Sequence, residues 1–179
     1  MNNRVLKTIL SFIGLILLQV IVCSNINFLG DLNPFVYVIF ILLYPVTKNR
    51  LLFIFLSFLL GFTIDIFLDS GGMHAAASVV IAYIRPLFLK FSFGAAYDYQ
   101  SIKFSNTDFS QRIVYFLFLI VIHHFILFSL VLFDQNKIVL ILQQALYSSI
   151  FTLIICLLLT SLFSKKETWE KYCFLDWSF

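Results

Sequence analysis

Six apolar blocks separated by short polar stretches take up most of this 179-residue chain, and they restrict it to a helical bundle in lipid. They run over about 5–23, 33–47, 51–68, 73–93, 113–133 and 138–163. Each is read as a spanning helix, since ~20 apolar residues at 1.5 Å rise cross a ~30 Å hydrocarbon core. The composition agrees: 61% of residues are hydrophobic and 12% charged, with a mean hydropathy of +1.01. Soluble domains carry about twice that share of charge. The second block is the shortest and is bracketed by Pro34 and Pro45. Pro34 suits a first helical turn, and Pro45 should end or kink the helix near Thr47. The expected fold is therefore all-α: one six-helix transmembrane domain over 1–163 with a short cytoplasmic tail over 164–179.

The basic residues orient this bundle. Arg4, Lys7, Lys48, Arg50, Arg85, Lys90, Lys103, Arg112, Lys165, Lys166 and Lys171 fall on one side of the alternation, and Lys137 alone on the other. Positive loops stay in the cytoplasm, so both termini of a multi-pass protein are expected there. The first block has a basic start but no A-x-A-like cleavage site, and reads as an uncleaved anchor. The charges form no basic face, which argues against nucleic acid as a partner. Cys23, Cys156 and Cys173 are odd in number and far apart, so neither a disulfide framework nor a metal site is expected.

Ionisable groups concentrate in one hairpin, GFTIDIFLDSGGMHAAASVVIAYIRP, from Gly61 to Pro86. Asp65, Asp69, His74 and Arg85 each cost about 3 kcal/mol to insert at the centre of a spanning helix. Helical spacing puts Ser57, Gly61, Asp65 and Asp69 on one stripe. His74, Ser78, Ala82 and Arg85 make a second, flanked by Ala75 to Ala77. Ser70, Gly71 and Gly72 read as the turn between them. Small residues let helices approach closely in lipid, so the two helices are expected to pack with polar faces inward. The same face could instead line a binding groove or meet a partner's helix. Asp65 lies ~8 Å and Arg85 ~18 Å from the turn, too far apart in depth for an ion pair. Arg85 is expected to reach toward the cytoplasmic interface, and Asp69 and His74 to pair across the turn or else both to be solvated at the outer surface. Of His123 and His124, about 100° apart on their helix, at least one should face the bundle.

No GxSxG, HExxH, P-loop or CxxC motif is present. Asp65 and Asp69 share one helix, whereas carboxylates that share a proton usually face each other. No catalytic residue, metal or cofactor is assigned. Asn106 to Asp108 could cap a short helix before the fifth block. The aromatic and basic tail reads as an interfacial anchor or a docking peptide.

Asn33-Pro34 opens the second block, Asp65 sits in GFTIDIF, GGMHAAA (Gly71 to Ala77) opens the fourth, and Tyr83-Ile84-Arg85-Pro86 lies further along it. This pattern resembles the rod-shape-determining membrane protein family MreD, especially forms like those of Bacteroidetes. The local likeness covers residues 33 to 86. Length, six spans and cytoplasmic termini extend it more loosely over the chain. The resemblance implies a non-enzymatic scaffold subunit of the cell-elongation machinery, active in peptidoglycan synthesis. Such a subunit binds MreC, and through it links the MreB filament to the wall synthase RodA and its transpeptidase. The family's fold is similar to the substrate-binding subunits of energy-coupling-factor transporters. The resemblance also implies that Asp65 and Gly72 to His74 belong to a functional face. Two other functions fit six spans with a polar interior: a substrate-binding subunit of a vitamin-type transporter, and a lipid-modifying or proton-conducting protein using Asp65 or His123 and His124.

Overall fold

A computed structural model of the chain describes residues 3–25, 33–46, 49–94, 107–132 and 138–163, in which helices are joined by turns with no strand among them. Helix α1 (Asn3–Leu17) widens into a π turn (Leu18–Val22) and tightens into a 3₁₀ turn (Cys23–Asn25). The others are α2 (Val38–Leu43), α3 (Arg50–Leu68), α4 (Met73–Phe93), α5 (Phe109–Leu132) and α6 (Ile138–Phe163). Helices α3 to α6 are long and apolar enough to cross a membrane. The third to sixth predicted spans match them, α5 starting a turn early at Phe109. The tail over 164–179 lies outside the described residues, as do Asn106 and most of the loop before α5.

The second predicted span differs from expectation. It is helical over six residues only, and Val38, Ile39, Phe40, Ile41 and Leu42 are all buried. Helix α2 starts four residues after Pro34, through a tight turn in which the Val38, Ile39 and Phe40 N–H groups donate to the carbonyls three residues back. It stops at Tyr44 (φ −55°, ψ 137°), because Pro45 forbids helical backbone in the residue before it. A helix apolar on every side belongs in a core, and α2 lies against α1, α4 and α5.

The longer helices pack in chain order, α3 on α4, α4 on α5 and α5 on α6. Asn49 starts α3 by accepting the Leu52 N–H on its side-chain oxygen, 3.2 Å away. Large apolar side chains such as Leu51, Phe91 and Val139 point outward, as the lipid-facing surface of such helices requires.

The α3–α4 turn fixes the tightest contact in the fold. Asp69 adopts a left-handed conformation (φ 51°) at the end of α3, and the Ser70 N–H folds back to the Asp65 carbonyl at 3.1 Å. Gly71 and Gly72 follow at φ 65° and 92°, values that glycine tolerates best. The chain reverses so sharply that Gly61 lies against the α4 backbone. A Cβ there would sit 2.5 Å from the His74 carbonyl oxygen and 2.6 Å from the Ala75 Cα. The small-residue approach expected in this hairpin is thus made at Gly61.

Gly61→Ala should therefore destabilise the protein by about 1–3 kcal/mol through forced separation of α3 and α4. Thermal unfolding of the purified protein in detergent measures this, and an unchanged midpoint would contradict the contact. Asp69→Gly should raise the same midpoint, since glycine removes a left-handed penalty of about 1 kcal/mol.

Candidate functional site

The polar side chains inside the bundle form two clusters, one at each end of α2. The first begins at Asp65. Helix α4 opens on Gly72, which has no side chain to cap it. Asp65 on α3 fills that role from across the turn. Its carboxylate oxygens accept the His74 N–H at 3.0 Å and the Ala75 N–H at 2.8 Å, the second and third N–H groups of the helix. The Ser70 hydroxyl adds a third donor at 2.5 Å. The Met73 N–H goes to the Ser70 carbonyl and the Ala76 N–H to Gly72, so every N–H of the first turn is matched. Asp65 is 4% exposed, and its charge faces the positive end of α4.

His74 then turns its ring to Tyr37, just before α2. The Tyr37 hydroxyl lies 3.0 Å from His74 Nδ1 and 2.7 Å from His123 Nε2 on α5. His124 faces the same core. Its Nδ1 lies 2.8 Å from the Ile120 carbonyl, so it carries the proton, and Nε2 accepts from the Thr152 hydroxyl on α6 at 3.1 Å. Thr152 in turn accepts the Phe35 N–H at 3.1 Å. The Phe35 ring sits among the three imidazoles, with centroids 5.3 Å from His74, 6.4 Å from His123 and 5.3 Å from His124.

Gln19 closes this end of α2. It lies in the π turn after α1 and is fully buried. Its amide donates to the Pro34 carbonyl at 3.1 Å and accepts the Tyr37 N–H at 3.4 Å. The non-helical backbone leading into α2 is thus satisfied by Gln19 and Thr152.

The second cluster caps the other end of α2. The Arg85 Nε donates to the Tyr115 hydroxyl at 2.8 Å, and its Nη2 donates to the carbonyls of Leu42 (3.2 Å) and Tyr44. Tyr115 also donates to the Leu42 carbonyl at 3.1 Å. The guanidinium stands 5.0 Å over the Phe53 ring. A cation thus meets the negative end of a helix, with no carboxylate paired to it among the described residues.

The eight residues expected to make one partner or ligand face are divided by this geometry. Ser57, Gly61 and Asp65 turn inward, and Ser57 donates to the Phe53 carbonyl of its own helix. His74, Ser78 and Arg85 are buried on the facing stripe of α4. Gly72 is the half-buried start of that helix. Asp69 is exposed, because the left-handed turn carries it off the stripe. Two expectations are corrected. Asp69 does not pair with His74, whose ring belongs to Tyr37. Arg85 does not reach for the interface; at 3% exposed it is held by the carbonyls at the end of α2. The depth argument against an Asp65–Arg85 pair agrees with their separate partners. Both His123 and His124 face the core. The sequence reading missed Gln19, Tyr37, Tyr115 and Thr152. Gln19 left a trace, as the one strongly polar residue between Phe12 and Cys23. In comparisons with known proteins, no family model, curated protein or solved structure matches the chain.

Asp65→Leu should leave two buried N–H groups unmatched and cost about 2–4 kcal/mol. Asp65→Asn, which keeps one acceptor, should cost less than half of that. Chemical unfolding of both variants in detergent tests the ordering. Equal stability of the leucine variant and the parent would remove the capping role.

Proposed function

We propose that the chain is a non-enzymatic, multi-pass scaffold subunit of a bacterial inner membrane, acting with an MreC-like partner in the cell-elongation machinery. One observation carries the reading. In the hairpin that resembles MreD, the costly groups are committed to the protein's own backbone: Asp65 holds the start of α4 and Arg85 the end of α2. An acid or base in chemistry on a substrate needs free valence at its reactive atoms. The Asp65 carboxylate already accepts three hydrogen bonds. Groups used this way make a rigid body that presents fixed outer faces to other membrane proteins.

Six crossings belong to the proposal. The 14 residues over 33–46 include six in α2 and three in the turn before it, and these with five extended residues reach at most about 32 Å. That suffices for a ~30 Å core as a broken crossing, buried in protein where irregular backbone is tolerated. The eleven basic residues on one side then put both termini in the cytoplasm. Through the MreC-like protein the subunit would act on a RodA-type synthase and its transpeptidase, and indirectly on MreB filaments.

Depletion from the native host should turn rods into spheres, and the tagged protein should co-purify with the MreC-like partner. Rods that keep their shape after complete depletion would refute the scaffold. A purified protein that retains a vitamin-like molecule at nanomolar affinity would point instead to a transporter's substrate-binding subunit.

A further inference from the structure

Tyr37 is fully buried, and its single hydroxyl proton lies between two imidazole nitrogens. It can donate to only one of them, so the other ring must donate to it. Two arrangements fit the same heavy atoms. In one, His74 Nδ1–H donates to Tyr37, and Tyr37 donates to His123 Nε2. In the other, both bonds run backward. A hydrogen-bonded chain with two equivalent directions is the requirement for passing a proton along it.

The neighbouring histidine supplies the contrast. His124 is fixed at both nitrogens, by the Ile120 carbonyl and the Thr152 hydroxyl, so only one tautomer satisfies it. His123 is equally buried, yet its Nδ1 has no hydrogen-bond partner among the described residues. Leaving a buried polar atom unmatched costs about 1–3 kcal/mol. A purely structural tie from Tyr37 to α5 uses the Nε2 bond alone and leaves the cost at Nδ1 unrepaid. His74, at the other end, is the second residue of α4, beside the turn, and its backbone N–H lies on the Asp65 carboxylate. The Asp65 carboxylate thus lies beside the residue that takes up the proton. Of the other polar groups around the chain, Gln19 from the π turn and Thr152 from α6 are engaged with backbone or with His124, whereas the buried Ser78 hydroxyl of α4 stands beside Tyr37 and can bond its oxygen in either arrangement.

We propose that His74, Tyr37 and His123 form a proton relay from the α3–α4 turn to the centre of the bundle. This goes beyond the scaffold reading and does not depend on it. One proton binds His74 Nε2 as Nδ1 gives its own to the Tyr37 oxygen. The Tyr37 proton passes to His123 Nε2, and Nδ1 of that ring releases one to a water molecule. One proton enters and one leaves, and both rings finish in the opposite tautomer. Rotation of the phenol hydroxyl and return of the rings reset the chain.

Solvent exchange of the imidazole N–H groups tests this on the full chain, labelled with ¹⁵N-histidine and embedded in lipid nanodiscs. His123→Gln and His124→Gln spectra assign the two signals. On transfer to D₂O, the His123 ring N–H should exchange at least about tenfold faster than that of His124, although both rings are fully buried. Tyr37→Phe should slow His123 by about tenfold or more while leaving backbone amides of α4 and α5 as protected as before. Equal exchange at the two histidines in the parent protein overturns the relay, whether or not the phenylalanine variant folds. So does an unchanged His123 rate in a folded Tyr37→Phe protein.

Discussion

Lipid offers no hydrogen bonds to a peptide group, and the interior of this protein is organised around that shortage. Long helices meet the demand within themselves. Two places cannot: the start of α4, opened by a glycine turn, and α2, whose six helical residues have more unmatched ends than middle. Five buried polar side chains serve these two places. Asp65 serves the first, while Gln19, Thr152, Arg85 and Tyr115 serve the second.

The caps come from other elements, and this gives the bundle its order. A local cap at Gly72 would have stabilised α4 alone. Supplied by Asp65, it stabilises α4 only when α3 lies alongside, and α3 lies alongside only because Gly61, one turn away, admits the backbone of His74 and Ala75. The same coupling holds at α2. Its leading backbone needs α1 and α6, and its trailing carbonyls need α4 and α5. Association of the helices is thus rewarded by hydrogen bonds that no helix can make by itself, a useful device where apolar burial gives little driving force between helices.

This logic also explains what could be read from the sequence. Helices α3, α4 and α6 were legible nearly to the residue, since hydropathy and the Ser70-Gly71-Gly72 turn bound them. The inward stripes were legible from spacing, down to Ser57, Gly61, Asp65, His74 and Arg85. What spacing could not supply was the partner of each group. Periodicity orders residues within a helix, whereas the caps act between helices. Asp69 left its stripe because a left-handed residue breaks the period. Arg85 stayed inside because carbonyls at the end of α2 received it; Pro45 marked that helix end, but nothing in the sequence placed Arg85 against it. Tyr37 and Tyr115 lie inside apolar blocks with no spacing signal to single them out, though their hydroxyls decide their roles.

Helix α2 joins the two clusters into one mechanical unit. Tyr37 at its start is bound to α4 and α5 through imidazoles, and Leu42 and Tyr44 at its end are bound to the same two helices through Arg85 and Tyr115. Sliding α2 along its axis by one residue, ~1.5 Å, would stretch hydrogen bonds at both ends together. Any event that moves α1 acts on this unit through Gln19, which holds the backbone on both sides of Phe35. Helix α1, whose outer face exposes Leu10, Ile13 and Leu17, is thus joined to the segment carrying Tyr37 by the Gln19 hydrogen bonds and by Phe12 packed on Phe40, 5.5 Å between ring centroids.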